Sequence, residues 1–226
     1  MFRSSLAIAG CIRREHLPSG VGVLDRLLPG GGIPIGALSE LTGRRSCGKR
    51  ALATACCAGV IARGRRAAWV DGCGSYYPLS ALERLPLLEQ LIVVRLPREQ
   101  RRRWLLKAAD ILLQSAGAIA LLVIDLPSHV ALQPSAPQLT RLQRAAERSG
   151  TAVIFVTEQR RERGALGSLI DLRLAVRPHA GTRRALEVAI VKSKQGQMGA
   201  SAEVSIDEPH GVRLDSTARA DSAGRD

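Results

Sequence analysis

The segment 43–50 reads Gly-Arg-Arg-Ser-Cys-Gly-Lys-Arg and has the spacing of a phosphate-binding loop. In the pattern G-x-x-x-x-G-K-[ST], two glycines bend the backbone so that its N–H groups surround phosphates. The lysine contacts the outer phosphates, and the final hydroxyl binds Mg²⁺. Gly43, Gly48 and Lys49 fit this pattern, but Arg50 occupies the last position and offers no hydroxyl to a metal. The segment therefore has residues suited to phosphate and lacks one metal ligand.

Two interpretations of this loop stay open. In the first, the backbone N–H groups and Lys49 still bind a phosphate, and Arg50 supplies a fixed positive charge in place of Mg²⁺. In the second, the glycines build only a tight turn, which Lys49 stabilises electrostatically. We therefore expect either no cofactor, or ATP or ADP bound without Mg²⁺.

The elements around the loop predict an α/β fold. A strand at 37–42 precedes the loop, and an alanine-rich helix at 51–62 follows it. The segment 118–125 is continuously apolar, which is typical of a strand buried on both faces of a parallel sheet. The remaining predictions are a helix within 18–28, a loop at 29–36, strands at 67–71, 91–96 and 151–158, helices at 98–117 and 138–149, paired strands at 171–177 and 186–192, and an edge strand at 203–206. Together they predict a mostly parallel central sheet flanked by helices, with an antiparallel hairpin at one edge.

Composition limits the protein class. The 226 residues suit one α/β domain, and the formal charge of +13 favours an anionic partner, either nucleic acid or an acidic protein surface. Arginine outnumbers lysine so strongly that a base composition bias in the coding DNA would explain the charge equally well. Five cysteines without C-x-x-C spacing predict neither disulfides nor a zinc site, and no metal is expected. No apolar run is long enough for a membrane span, so we expect a cytoplasmic protein that does not bind membranes.

The order of these segments resembles the RecA-like ATPase core. The matching segments are 30–36, the loop at 43–50, 69–71 with Pro78, 121–125, 153–157 and 190–194. The resemblance covers about residues 17–206, which predicts a core domain there, a short lead at 1–16 and a flexible tail at 207–226. Within this group, the length and the altered loop look most like the ImuA family of accessory proteins in bacterial SOS mutagenesis.

The resemblance assigns roles to single residues. Asp125 occupies the position of the Walker B carboxylate, and Cys73 stands where RecA has the glutamate that activates water. The candidate nucleotide-binding residues are therefore Gly43, Ser46, Cys47, Gly48, Lys49, Arg50 and Asp125. Lys192 and Lys194 match paired lysines that reach the neighbouring subunit's nucleotide in RecA filaments; the alternative is two solvated lysines on an edge strand. The loss of both the hydroxyl and the glutamate implies a pseudo-ATPase without catalytic residues, in which hydrolysis is absent or residual.

The resemblance also implies partners. We expect an accessory to translesion DNA synthesis that works with an ImuB-like Y-family protein and an error-prone C-family polymerase, and that binds RecA and inhibits recombination. Arg160, Arg161 and Arg163 are candidates for electrostatic contact with DNA, or they form a solvated basic loop. Two rival functions stay open: an active DNA-dependent ATPase resembling a RecA paralogue, and a plain basic DNA-binding module. Whether the basic helix around Arg101, Arg102 and Arg103 is an interface is also open.

Overall fold

The computed structural model describes residues 14–77, 88–115, 117–127, 133–158, 166–181, 185–196, 198–207 and 211–212. Within these residues the strands are β1 (His16–Leu17), β2 (Ile33–Pro34), β3 (Leu38–Gly43), β4 (Ala67–Asp71), β5 (Leu91–Arg95), β6 (Leu121–Asp125), β7 (Ala152–Glu158), β8 (Leu172–Pro178), β9 (Ala185–Ser193), β10 (Ser201–Asp207) and β11 (Gly211–Val212). The α-helices are α1 (Gly22–Leu27), α2 (Lys49–Ile61), α3 (Arg101–Leu113) and α4 (Ala136–Ser149).

Nine of the described strands form one sheet in the order β11-β10-β9-β8-β3-β7-β6-β4-β5. The six strands from β8 to β5 in this order are parallel, whereas β9, β10 and β11 pair antiparallel at one edge. The predicted fold class is therefore confirmed.

Helices cover both faces of the sheet. One apolar cluster joins α1 and α2 to one face, and a second joins α3 and α4 to the other. Strand β6 shows the division clearly, because Leu121 and Val123 belong to the first cluster while Leu122 and Ile124 belong to the second. Its continuous apolar sequence follows from this burial on both faces.

Three details of the sequence prediction were wrong. The segment 29–36 contains a 3₁₀ turn and the strand β2, which pairs antiparallel with β1, so it is not only a loop. The helix predicted at 98–117 consists of a 3₁₀ turn after Pro97 followed by α3. The α-helix ends at Leu113, before Gly117, which has a positive φ. The predicted edge strand at 203–206 lies within β10 but is not the last strand, because β11 pairs along its other side. The lead at 1–13 and the tail from 213 onward lie outside the described residues.

Parallel pairing brings the loops of the candidate site to one edge of the sheet. Asp71 at the end of β4 is in register with Asp125 at the end of β6, and Gly43 at the end of β3 is in register with Glu158. Because the carboxyl ends of parallel strands lie at the same sheet edge, the phosphate-loop segment and the loops after β4 and β6 become neighbours.

A buried ion pair ties together the strands that carry this edge. The carboxylate of Glu40 on β3 is fully buried and accepts hydrogen bonds from Arg173 Nε of β8 and Thr157 Oγ1 of β7, each at 2.7 Å. A buried carboxylate that loses its cationic partner is strongly destabilising. This pair therefore holds β3, and the loop that follows it, between β7 and β8.

We predict that Arg173→Ala lowers the free energy of unfolding by about 3–5 kcal/mol, because it removes a cationic partner of the buried Glu40 carboxylate. The double variant Glu40→Gln/Arg173→Ala should recover part of this loss, since the buried group is then neutral. Urea unfolding measures both, with Arg65→Ala at an exposed position as the control. An Arg173→Ala protein as stable as that control would contradict the proposed role of the pair.

Candidate functional site

An open cleft of about 810 Å³ lies at the carboxyl ends of β3, β4, β6 and β7. Its volume is within the range of small-ligand sites. The lining includes Arg45, Ser46, Cys47, Gly48, Lys49, Arg50, Cys73, Ser75, Arg98, Arg101, Asp125, Thr157 and Glu158. Most of the candidate nucleotide-binding residues therefore line one cleft, and Gly43 lies directly before it at the end of β3.

The loop between β3 and α2 depends on its two glycines. A Cβ atom at Gly43 would lie 2.3 Å from the carbonyl oxygen of Val176, a backbone atom that cannot move aside. Gly48 is the N-cap of α2 and adopts a left-handed conformation with φ of 92°, close to Leu186. Ser46 also has a positive φ, of 57°. The tight backbone bend that the glycine spacing predicts is confirmed.

Lys49 folds back across its own loop. Its side chain is buried, and Nζ donates hydrogen bonds to the carbonyl oxygens of Gly43 at 2.8 Å and Arg44 at 2.5 Å. The ammonium group thereby satisfies carbonyls at the start of the loop, as the turn-stabilising interpretation requires. Because Lys49 also lines the cleft, the same contacts hold a positive charge at the cleft wall.

Arg50 forms an ion pair with Asp125, the carboxylate at the predicted Walker B position. Its Nε donates a hydrogen bond to Asp125 Oδ2 at 2.7 Å, and the Asp125 side chain is almost fully buried. Burial raises the pKa of Asp125, and the adjacent guanidinium partly opposes this rise. Burial is the largest single influence on Arg50 and disfavours its charged form, but Asp125 and Cys73 together outweigh it and raise the pKa of Arg50.

This ion pair tests whether the residues suit Mg²⁺. At the position where a phosphate loop offers a hydroxyl ligand, the protein has the guanidinium of Arg50, which cannot bind a cation. This guanidinium also forms an ion pair with Asp125, the carboxylate that would orient the metal's water. No cluster of three or more metal-ligating side chains was found among the described residues. The residues present therefore do not fit Mg²⁺.

The loop after β4 is anchored by Asp71. This buried carboxylate accepts hydrogen bonds from the backbone N–H groups of Cys73 at 3.1 Å, Gly74 at 2.7 Å and Tyr76 at 3.0 Å. Tyr76 in turn stacks on Trp69, with ring centroids 3.7 Å apart. Sequence reasoning missed this role, although an aspartate followed by glycine at a strand end is a known turn signal.

Cys73 lies beside the ion pair and has no basic group to offer. Burial, reinforced by the charge of Asp125, raises the pKa of the Cys73 thiol to about 11, although Arg50 acts in the opposite direction. At neutral pH the group is therefore a thiol. It cannot replace a glutamate as a general base.

Two arginines of the cleft were not among the candidate residues. Arg98 and Arg101 come from the 3₁₀ turn before α3 and from its first residue. Arg101 is fixed in place, because its Nε donates to the carbonyl of Leu96 at 3.2 Å and its Nη1 donates to the carbonyl of Cys73 at 3.1 Å. With Arg45, Lys49 and Arg50, these residues give the cleft an excess of positive charge, which suits a polyanionic ligand.

The other predicted site residues lie elsewhere. Lys192 Nζ donates to the carbonyl of Ser168 at 2.9 Å, and Lys194 forms an ion pair with Asp171. Both lysines therefore contact their own chain in the segment before β8. Arg160, Arg161 and Arg163 lie outside the described residues.

Comparisons with known proteins identify the family. The model of the RecA N-terminal domain matches residues 9–139, which is more than half of the chain. The chain belongs to the RecA family. RecA of Rhodospirillum rubrum is 32% identical over an alignment of 169 positions that covers 67% of this chain and 45% of that protein. RecA of Herpetosiphon aurantiacus is 30% identical over 215 residues, covering 85% of this chain and 58% of that protein.

The match to RecA is partial in length. RecA of Bifidobacterium breve is 30% identical over 167 residues, which are 42% of its own length. The chain thus spans about half the length of the RecA proteins that it matches. Within the part of the chain that the structure describes, no helix is both long and apolar enough to cross a membrane.

Alkylation of Cys73 tests the geometry of the ion pair without any ligand. With a pKa of about 11, roughly one molecule in a thousand carries the thiolate at pH 8, so iodoacetamide should label Cys73 slowly. Asp125→Asn removes a charge that raises this pKa and should speed labelling, whereas Arg50→Gln should slow it. Peptide mass spectrometry reports the rates, and Cys57, whose burial raises its pKa to about 12, is the internal control. Equal Cys73 rates in all three proteins would contradict the arrangement.

Proposed function

We propose that this RecA-family protein is a pseudo-ATPase that binds the phosphates of ATP or ADP without Mg²⁺ and does not hydrolyse them. The observation that carries the proposal is the 2.7 Å ion pair between Arg50 and Asp125. It places a covalently attached cation where the metal would be, and it engages the carboxylate that the metal would need.

The chemical requirements of phosphoryl transfer support the proposed loss of hydrolysis. The reaction depends on neutralisation of phosphate charge by a metal and on a positioned attacking water. Arg50 stands in place of the hydroxyl that would bind the metal. The protonated thiol of Cys73 stands in place of the base that would act on the attacking water. Loss of a general base alone slows such reactions about 10²–10⁴-fold. The two changes act together, so turnover falls further.

The charge of the cleft supports binding in the absence of a metal. Arg45, Lys49, Arg50, Arg98 and Arg101 face the cleft, and the Asp125 charge is already compensated by Arg50. A triphosphate bound at this site would meet fixed cations instead of Mg²⁺. The positive-φ backbone at Ser46 and Gly48 provides the type of concavity that binds anions.

We predict that the purified protein binds ATP or ADP with equal affinity in Mg²⁺ and in EDTA and shows no Mg²⁺-dependent turnover. Lys49→Ala should weaken binding at least about tenfold through the lost charge and the loosened loop. Arg50→Thr should make binding Mg²⁺-dependent, since it restores a hydroxyl and frees Asp125, whereas the matched control Arg50→Lys should not. Calorimetry with a phosphate-release assay measures both.

Two results would overturn this proposal in different directions. Mg²⁺-dependent hydrolysis that disappears in Lys49→Ala would identify an active ATPase resembling a RecA paralogue. Absence of any nucleotide binding would leave the loop as a structural turn. DNA binding that survives Lys49→Ala and falls steeply with salt would favour the basic DNA-binding module.

At the cellular level, we propose that the protein is an ImuA-like accessory in SOS-induced mutagenesis and translesion DNA synthesis. Its proposed partners are an ImuB-like Y-family protein, an error-prone C-family polymerase and RecA. Membership of the RecA family and a cleft unsuited to hydrolysis support a role in which the fold serves as a binding surface. A RecA-like surface that occupies the end of a RecA assembly without extending it would disfavour recombination.

We predict that the protein binds RecA in a pull-down and slows RecA-catalysed strand exchange. Lys192→Ala/Lys194→Ala should weaken both effects, because these lysines occupy the positions that the family resemblance places at the subunit interface. The control is Arg65→Ala, at an exposed position between α2 and β4. A protein that neither binds RecA nor alters strand exchange would refute this part, whatever the result for nucleotides.

A further inference from the structure

The outer face of α3 carries an unusual combination of side chains. Arg103, Trp104, Lys107 and Ile111 lie within about 100° of arc on the helix, given 100° per residue. Arg103 and Lys107 are exposed, Trp104 is half-buried, and Ile111 is 52% exposed. We call these four residues the α3 patch. The patch presents two cations beside a large aromatic and an aliphatic side chain.

The patch lies outside the apolar cluster that packs α3 against the sheet. The opposite face of α3 packs Leu105, Ala109 and Leu113 into the core between the sheet and α4. Trp104 and Ile111 are not among the residues of this cluster. By contrast, Ile111 exposes about half of its surface to water, where a polar side chain would favour solubility more.

The charge of the patch is not neutralised within α3. The helix sequence contains Arg101, Arg102, Arg103 and Lys107 but a single carboxylate, Asp110. That carboxylate is already engaged, because Arg141 of α4 donates to it from Nε at 3.1 Å and from Nη2 at 2.5 Å. Among the ion pairs of the described residues, none involves Arg103 or Lys107, so the charge of these two side chains is available to a partner.

The two cations of the patch are organised around the indole. Lys107 Nζ lies 4.3 Å from the centroid of the Trp104 ring, and Arg103 Cζ lies 5.6 Å from it. Such cation–π contacts restrict long side chains that would otherwise move freely. The patch therefore presents its charges in a partly ordered arrangement, which reduces the entropy lost on binding.

These features distinguish between two classes of anionic partner. Single-stranded nucleic acid binds through bases stacked on an open aromatic face, but Lys107 already covers a face of Trp104. An exposed isoleucine contributes nothing to phosphate contacts. An amphipathic helix satisfies every element, since its apolar residues would pack on Trp104 and Ile111 and its carboxylates would meet Arg103 and Lys107.

We propose that the α3 patch is a docking site for an acidic amphipathic helix of a partner protein. The site lies on the face of the sheet opposite to α2 and requires no nucleotide. A test of this docking site is therefore independent of the function proposed for the cleft.

The test uses the full chain with Trp69→Phe, so that the remaining tryptophan fluorescence reports on Trp104 alone. The probe is a labelled 18-residue helical peptide with leucines on one face and glutamates flanking them. Its counterpart carries lysines in place of the glutamates, and a single-stranded oligo-dT is the third probe. We expect the glutamate peptide to change Trp104 fluorescence and to raise the anisotropy of its label, and the lysine peptide to do neither.

Matched variants locate the site. Arg103→Glu/Lys107→Glu should weaken glutamate-peptide binding at least about tenfold, and Ile111→Ser should weaken it about threefold or more. The control Arg65→Glu/Arg66→Glu makes the same charge change at exposed residues after α2 and should leave binding within about twofold after allowance for net charge. If the double reversal on α3 does not fold, judged by circular dichroism, Arg103→Gln/Lys107→Gln replaces it.

Three outcomes overturn the proposal. The first is no binding of the glutamate peptide at the highest concentration tested. The second is equal loss of binding in the α2 control, which would show a response to net charge alone. The third is oligo-dT binding that depends on the same α3 residues and displaces the peptide, which would identify a nucleic-acid surface instead.

Discussion

The ion pair between Arg50 and Asp125 is the interaction on which the interpretation of this protein depends. It joins the first turn of α2 to the end of β6, across the centre of the cleft. In a metal-dependent phosphate loop, this space belongs to a cation held from both sides. Here the cation is part of the chain, so it cannot dissociate from the protein. The pair therefore keeps a positive charge beside Asp125.

The surrounding structure keeps this arrangement rigid. Lys49 fastens the loop to its own beginning, Asp71 anchors the neighbouring loop through three backbone N–H groups, and the Glu40–Arg173 pair holds β3 between its neighbours. Each of these contacts satisfies groups that are buried, so loosening one leaves an uncompensated charge or an unpaired amide. A cleft built in this way is suited to binding. Of its acid and base groups, Asp125 is paired with Arg50, and burial raises the pKa of Cys73 so that it stays a thiol at neutral pH.

The molecule also separates two kinds of positive charge. In the cleft, cations at the carboxyl edge of the sheet surround a space of ligand size. On α3, cations lie beside exposed apolar surface, outside the cleft. The total charge of +13 does not reveal this division, because it counts every arginine equally. Depth and neighbouring side chains decide whether a cation suits a small anion or a protein surface.

The sequence by itself determined the fold class, the order of the main elements and the bend of the loop, because apolar runs and glycine spacing are local signals. The resemblance to the RecA-like core also predicted that Arg50 and Cys73 stand at positions where that family has groups needed for catalysis. The sequence could not show that Arg50 contacts Asp125, since the two residues are 75 positions apart and meet only through the parallel pairing of the sheet. For the same reason, only the structure shows that Arg98 and Arg101 line the cleft, where Arg101 contacts the loop after β4. Residue types determine the local chemistry, whereas the register of the sheet determines which distant charges pair.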